Sequence, residues 1–347
     1  MTEVPGFDFV LDKIAGMGED APPLRLWDAN RQRGLIAVFD GMGGAGSAPC
    51  LWQGKEYSGA YVAARLAAQQ LSLYFENYEG ALEDFAGGLQ EEFKDFFARQ
   101  AEALYPAGQS KLKSRLVRLL PTTMTALLWE PMPNPIDSYR LCVLWAGDSR
   151  AYALLPSSII LLTKDDVRQE EGNSDLLDQL VNDAPLSNCI HAGGNFTIHQ
   201  AFYTVEAPVC LLVATDGCFA YLPSPPHFEY LLRYTLEQTH GAGMHRWAEI
   251  LKEQLHTVAA DDASMALVAL GEAATDTALL YWVFTKGNAH LYRRFIAPLN
   301  ELIVQIEELR ERKEQIEEKL NVLEQEKQHL RKKLWEAYLA SGRMQQF

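Results

Sequence analysis

Four aspartates in this chain each sit beside an apolar run and next to a small residue. They occur in LIAVFDGMGG (Asp40), LCVLWAGDSR (Asp148), CLLVATDGCF (Asp216) and VAADDASMALVAL (Asp261). Short apolar runs of this kind read as strands buried on both faces. Strands that read as buried therefore deliver carboxylates to loops at their ends, although these residues are far apart in the chain. One such aspartate is an ordinary turn residue that bonds its own backbone. Four in succession constrain the architecture more tightly, and the pair Glu19-Asp20 between two predicted strands adds to the set.

The first 270 or so residues mix strand and helix signals. FDFVLDKI and GLIAVFD read as strands, and from Gly59 the apolar spacing becomes helical through AYVAARLAAQQLSLYF. ALEDFAGGLQEEFKDFFARQAEALY is a second helical stretch, with a break expected at Gly87-Gly88. A third helix is expected over roughly 110–120, where Lys111, Lys113, Arg115 and Arg118 read as a solvated face. TTMTALLWE and SYRLCVLWAGD read as paired strands around the turn PMPNP, followed by AYALLP and SIILLT. Residues 165–195 are polar. FTIHQAFYTV and VCLLVATD return to strand character, a helical pair spans roughly 225–256, and SMALVAL is the last strand. Hairpins with helices set in pairs point to an α+β fold of stacked sheets flanked by helices.

The tail differs. From Leu299, apolar residues recur at alternating intervals of three and four, as Leu302, Ile306, Leu309, Ile316, Leu320, Leu323, Leu330 and Leu334, with Lys313 and Lys327 in the same series. This is a heptad seam with charged flanks, and a lone helix cannot bury it. The expected organisation is a domain over 1–272, a connecting segment over 273–298 and a coiled-coil helix over 299–340, whose partner is either the chain itself or another protein.

The chain carries a formal charge of -15 at pH 7, which argues against a nucleic-acid partner. ALLYWVF is too short to span a bilayer, and MTEVPGFDFVLDK lacks the pattern of a secretory signal. The five cysteines form no CxxC pair and read as reduced, which together suggest a cytoplasmic protein.

An all-oxygen donor set suits hard cations such as Mg²⁺ and Mn²⁺. Two of them about 3.5–4 Å apart can share a carboxylate and a water, lower the pKa of that water and present a bridging hydroxide for in-line attack on phosphorus. No GxSxG, no GxxxxGK[ST] and no cysteine phosphate loop offers another nucleophile.

FDGMGG, TTMTAL, WAGDSRAY, LTKDD, LLVATDG and DDAS follow one another in the order found in the metal-dependent PPM (type 2C) protein serine/threonine phosphatases, which residues 5–270 resemble. The resemblance implies a four-layer αββα sandwich, here followed by a long C-terminal helix. It implies that Asp40 bridges two Mg²⁺ or Mn²⁺ ions, that the Gly41 carbonyl ligates one, and that Asp216 and Asp261 complete the centre. Asp40, Asp216 and Asp261 are then the catalytic set. Glu19 and Asp20 would act through metal-bound waters, and Asp148 would serve a third, weaker site seen in bacterial members. Residues 165–205 would supply a mobile flap, and Arg150 and Tyr152 would be structural. The substrate implied is a phosphorylated protein.

The sequence departs from the family pattern at Ala15, where a phosphate-gripping arginine is frequent; nearby Lys13 cannot reproduce a bidentate guanidinium grip. Met42 stands where many eukaryotic members have histidine and bacterial members commonly have methionine, Ala220 replaces an aspartate, and Asp262 replaces an asparagine. Two further readings compete: a phosphatase-like interaction protein working through its coiled coil, and a hydrolase of small phosphoesters. Of the histidines, only His191 is a candidate for substrate contact.

Overall fold

The computed structural model describes residues 4–105, 119–168, 185–271 and 276–342. The third helix and the basic cluster expected near 110–120 lie almost wholly outside these residues.

Ten of the strands form two antiparallel sheets. One contains β1 (Gly6–Leu11), β8 (Arg150–Leu154), β9 (Ile159–Leu161), β11 (Val209–Ala214) and β12 (Ala263–Leu270), in the order β1-β12-β11-β8-β9. The other contains β2 (Leu24–Asp28), β3 (Arg33–Val38), β6 (Met124–Met132), β7 (Ser138–Ala146) and β10 (His199–Glu206), in the order β10-β7-β6-β3-β2. A separate hairpin, β4 (Pro49–Trp52) and β5 (Lys55–Ser58), leads into the first helix and was not legible in the sequence.

Strand periodicity explains the layers. Every residue of β3 is buried, yet successive side chains face opposite ways. Ile36 and Val38 meet Ala151, Leu211, Ala266 and Val268 of the other sheet. Leu35 and Ala37 point outward to a cluster built from α1 (Gly59–Asn77) and α2 (Leu82–Leu104), including Leu71, Phe85, Leu89 and Phe93. The outer face of the first sheet, with Phe7, Phe9, Leu212 and Leu267, is covered by α3 (Pro225–Gln238), α4 (Met244–Val258) and α5 (Thr277–Thr285). The order is helix, sheet, sheet, helix.

Two expectations change. Helix α2 runs unbroken through Gly87-Gly88. A Cβ on Gly88 would lie 2.1 Å from the Tyr74 hydroxyl, so this glycine admits a side chain of α1 rather than ending α2. The stretch read as a connector, 273–298, contains α5. Leu280 and Phe284 of α5 are buried. Buried Arg233 donates to the Phe284 carbonyl at 2.8 Å, and Asn288 Nδ2 donates to the Arg233 carbonyl at 3.1 Å. The compact unit accordingly runs to Ala289, and a second unit, 290–347, contains the long helix α6 (Ala297–Ala340), none of whose residues is buried.

Candidate active site

The strand ends assemble the acidic residues. Asp40 follows β3, Asp148 follows β7, Asp216 opens a single 3-10 turn after β11, Asp261-Asp262 precede β12, and Glu19-Asp20 lie between β1 and β2. Both sheets therefore contribute.

Asp40 is the centre of the group. Burial pushes its carboxyl well above the ordinary aspartate range, and the charges of Asp20, Asp216 and Asp148 push it the same way. Asp20 is raised to about 7, chiefly by burial, against hydrogen bonds that favour its charged form; one comes from Thr215 Oγ1 at 3.0 Å. Asp20 and Asp40 also hydrogen bond to each other, which two ionised carboxylates cannot do without a shared proton. Asp148 is raised to about 7 by burial and then by Asp216 and Asp165. Its Oδ1 is buried without a hydrogen-bond partner among the described residues.

The remaining predicted residues border this group. Glu19 is raised by burial, with Asp262 and Asp261 adding to the effect, and Ser58 donates to its Oε1. Asp261 caps its own turn by accepting from the Asp262 amide at 2.9 Å. Gly41 forms a bridge with Thr122, and a Cβ there would lie 2.7 Å from the Glu19 carbonyl and 2.9 Å from that of Ala60. Only glycine lets these backbones approach so closely. Thr123 N and Thr122 Oγ1 both donate to the Asp40 carbonyl, at 2.9 and 2.7 Å, fixing where β3 ends.

Sequence reasoning missed the residues that hold these in place. Asp262, noted only as a departure, accepts from the Lys13 amide at 2.8 Å and the Glu19 amide at 2.7 Å, across some 250 residues of chain. Arg65 of α1 stacks on Tyr61 at 3.3 Å and donates to the Glu19 carbonyl at 3.1 Å. Its guanidinium is thus committed to the loop and is no substitute for the arginine missing at Ala15. Arg150, next but one after Asp148, forms a buried pair with Asp165 at 2.7 Å and lies over Phe219. The DD of LTKDD was the available signal for that pair. Asp166 accepts from Gly147 N at 3.0 Å and Asn188 Nδ2 at 2.6 Å and contacts His199 Nε2 at 2.9 Å.

Asp166 and its partners alter the expectation of a flap over 165–205. Residues 199–206 are the edge strand β10, paired with β7 along their whole length, and 185–190 are hydrogen bonded to Asp166, Arg168 and Thr122. Residues 169–184 lie outside the described part. His191 uses Nδ1 to accept from Gly193 N at 3.0 Å, closing a local turn.

The donors in the cluster are all oxygens, they repel one another, and one buried carboxylate oxygen has no partner. That chemistry fits hard divalent cations. Among the described residues, no group of three or more acidic, histidine or cysteine side chains is arranged so that it could hold a metal ion.

Residues 19–258 match the family model for protein phosphatase 2C. The chain belongs to that family, a class of protein serine/threonine phosphatases and hence of hydrolases. Solved structures share the fold. A bacterial serine phosphatase is 16% identical with a TM-score of 0.53, covering 77% of this chain and 98% of that one. PppA, a key regulatory component of T6SS in Pseudomonas aeruginosa, is 16% identical with a TM-score of 0.51, covering 78% and 99%. A C. elegans sex determining protein is 13% identical with a TM-score of 0.55, covering 81% and 68%. No curated protein matches the chain by sequence. Among the described residues no helix is long and apolar enough to cross a membrane.

Proposed function

We propose that this chain is a Mg²⁺- or Mn²⁺-dependent phosphatase acting on phosphoserine and phosphothreonine in proteins. The observation that carries the reading is the convergence of Asp20, Asp40, Asp148 and Asp216 at the strand ends, where burial first and neighbouring carboxylates second hold Asp20, Asp40 and Asp148 toward the neutral form. Such an arrangement is costly in the free protein and is relieved by positive charge. Asp40, Asp216 and Asp261, with the Gly41 carbonyl, would hold two ions; Glu19 and Asp20 would hold their waters, and Asp148 a third ion. When bound, such ions acidify a water and offset charge on phosphoryl oxygens.

The chain's own residues organise that chemistry. Ser58 and Asp262 both hold Glu19, one through its carboxylate and the other through its amide. Thr215 keeps Asp20 turned toward Asp40. Gly217 keeps the Asp216 turn against β12: a Cβ there would lie 1.9 Å from the Asp262 carbonyl.

The test is hydrolysis of a phosphothreonine peptide by the full chain with Mn²⁺, with chelator, and by Asp216→Asn. Turnover that needs Mn²⁺ and is lost in the variant supports the reading. Equal rates for wild type and Asp216→Asn overturn it, and a preference for small phosphoesters over the peptide overturns the assignment of substrate.

A further inference from the structure

We propose that α6 pairs with α6 of a second copy of this chain, as a parallel, in-register two-stranded coiled coil. The helix spans 44 residues, about 66 Å at 1.5 Å per residue, and buries nothing of its own. Its seam is open to solvent: Leu309 is 61% exposed, Ile316 65% and Leu334 60%.

In heptad notation the a positions are Ile306, Lys313, Leu320, Lys327 and Leu334, and the d positions are Leu302, Leu309, Ile316, Leu323 and Leu330. Leucine dominates d, and lysine recurs at a. A long charged side chain at a can reach solvent from the narrow seam of a two-stranded coil, and such residues restrict register and oligomer state at a cost in stability.

The flanking charges select the partner and its direction. In a parallel pair, each g residue faces the e residue five positions on in the other helix. Arg312 then faces Glu317 of the second copy, Lys319 faces Glu324, and Glu326 faces Arg331. All three pairs are attractive, and two-fold symmetry makes each of them twice. Glu317 also lies 3.6 Å from Lys313 of its own helix, so one carboxylate serves a seam lysine and an interhelical arginine. In the antiparallel pair of fullest overlap, Ile306 would lie opposite Leu330. Lys319 would then meet Lys319 and Glu317 would meet Glu317 at the centre. That register also pairs Arg312 with Glu326 and Arg310 with Glu324, each twice, so four attractive contacts are offset by two repulsive ones. The parallel register makes six attractive flanking contacts and no repulsive one there. Its cost is to set Lys313 and Lys327 against their own copies, whose stems carry the ammonium groups outward. The flanking charges therefore favour the parallel sense.

Sedimentation of the full chain is expected to give twice the chain mass. Leu320→Lys with Leu323→Lys should weaken association at least ~100-fold while leaving the thermal transition of the phosphatase unit in place. Glu317→Lys with Glu324→Lys should also abolish self-association, and mixing that chain with Arg312→Glu, Lys319→Glu should restore a dimer. Direction is read by cysteine cross-linking, since the native cysteines are buried. A mixture of Ile306→Cys and Leu330→Cys chains, mildly oxidised, should yield 306–306 and 330–330 links. A monomer, a trimer or tetramer, failure of the charge-swapped chains to pair, or a predominant 306–330 link overturns the proposal.

Discussion

Asp148→Asn should stabilise the metal-free protein, and mostly above mildly acidic pH. In the fold the Asp148 carboxyl is held at about 7 against an ordinary value of 3.8, by burial and by the charges of Asp216 and Asp165. A group whose folded-state pKa is raised binds more protons folded than unfolded between those two values. Stability therefore falls as pH rises through the window and has lost its full amount above about pH 7. At about 1.4 kcal/mol per unit the loss comes to roughly 4–5 kcal/mol as an upper bound. Asp216 and Asp40 share the repulsion and are relieved together, so about 2–4 kcal/mol returns when asparagine removes the charge. At about 2 °C per kcal/mol for a domain of this size, chelated Asp148→Asn should melt roughly 4–8 °C above chelated wild type at pH 8. At pH 4.5 the gap should shrink to roughly a quarter of that, because the window opens near the unfolded pKa of 3.8. Saturating Mn²⁺ should raise wild type more than the variant. Equal melting temperatures at pH 8, or an equal gap at both pH values, would refute the claim that burial and neighbouring charge hold the Asp148 carboxyl toward its neutral form at this site.

Asp262→Ala frees the Lys13 and Glu19 amides, each held by a charge-assisted hydrogen bond, and should cost about 2–4 kcal/mol by denaturant unfolding together with a weaker Mn²⁺ midpoint in calorimetry. Gly41→Ala forces a methyl against two carbonyls and should abolish Mn²⁺-dependent turnover while circular dichroism still reports the sandwich. Arg150→Met strands Asp165 in a buried position and should cost about 3–5 kcal/mol, with Arg150→Met, Asp165→Leu recovering most of it.

The layered fold was legible because both periodicities are strong. β3, β7, β11 and β12 are short apolar runs whose alternate residues face a helix layer and the opposite sheet, and α1 carries a helical apolar face. The site was legible at its ends, since each aspartate closes or opens one of those runs. The supports were not. Asp262 with Glu19, and Ser58 with Glu19, join residues distant in the chain, and no local pattern marks one polar side chain as the holder of another's loop. Gly87-Gly88 misled because a glycine pair signals a turn locally, whereas Gly88 answers to Tyr74 on another helix. Segment 273–298 looked like a linker because α5 is only nine residues long and apolar nearly all round, which hides its period.

The central claim is that the strand-end carboxylates are the ligands of a two-ion centre. Anomalous diffraction from crystals soaked in Mn²⁺ tests it most directly. Two peaks about 3.5–4 Å apart, flanking the Asp40 carboxylate and bordered by Asp216 and Asp261, are the predicted result. Peaks only at the protein surface, or none within ligand distance of Asp40, would contradict it.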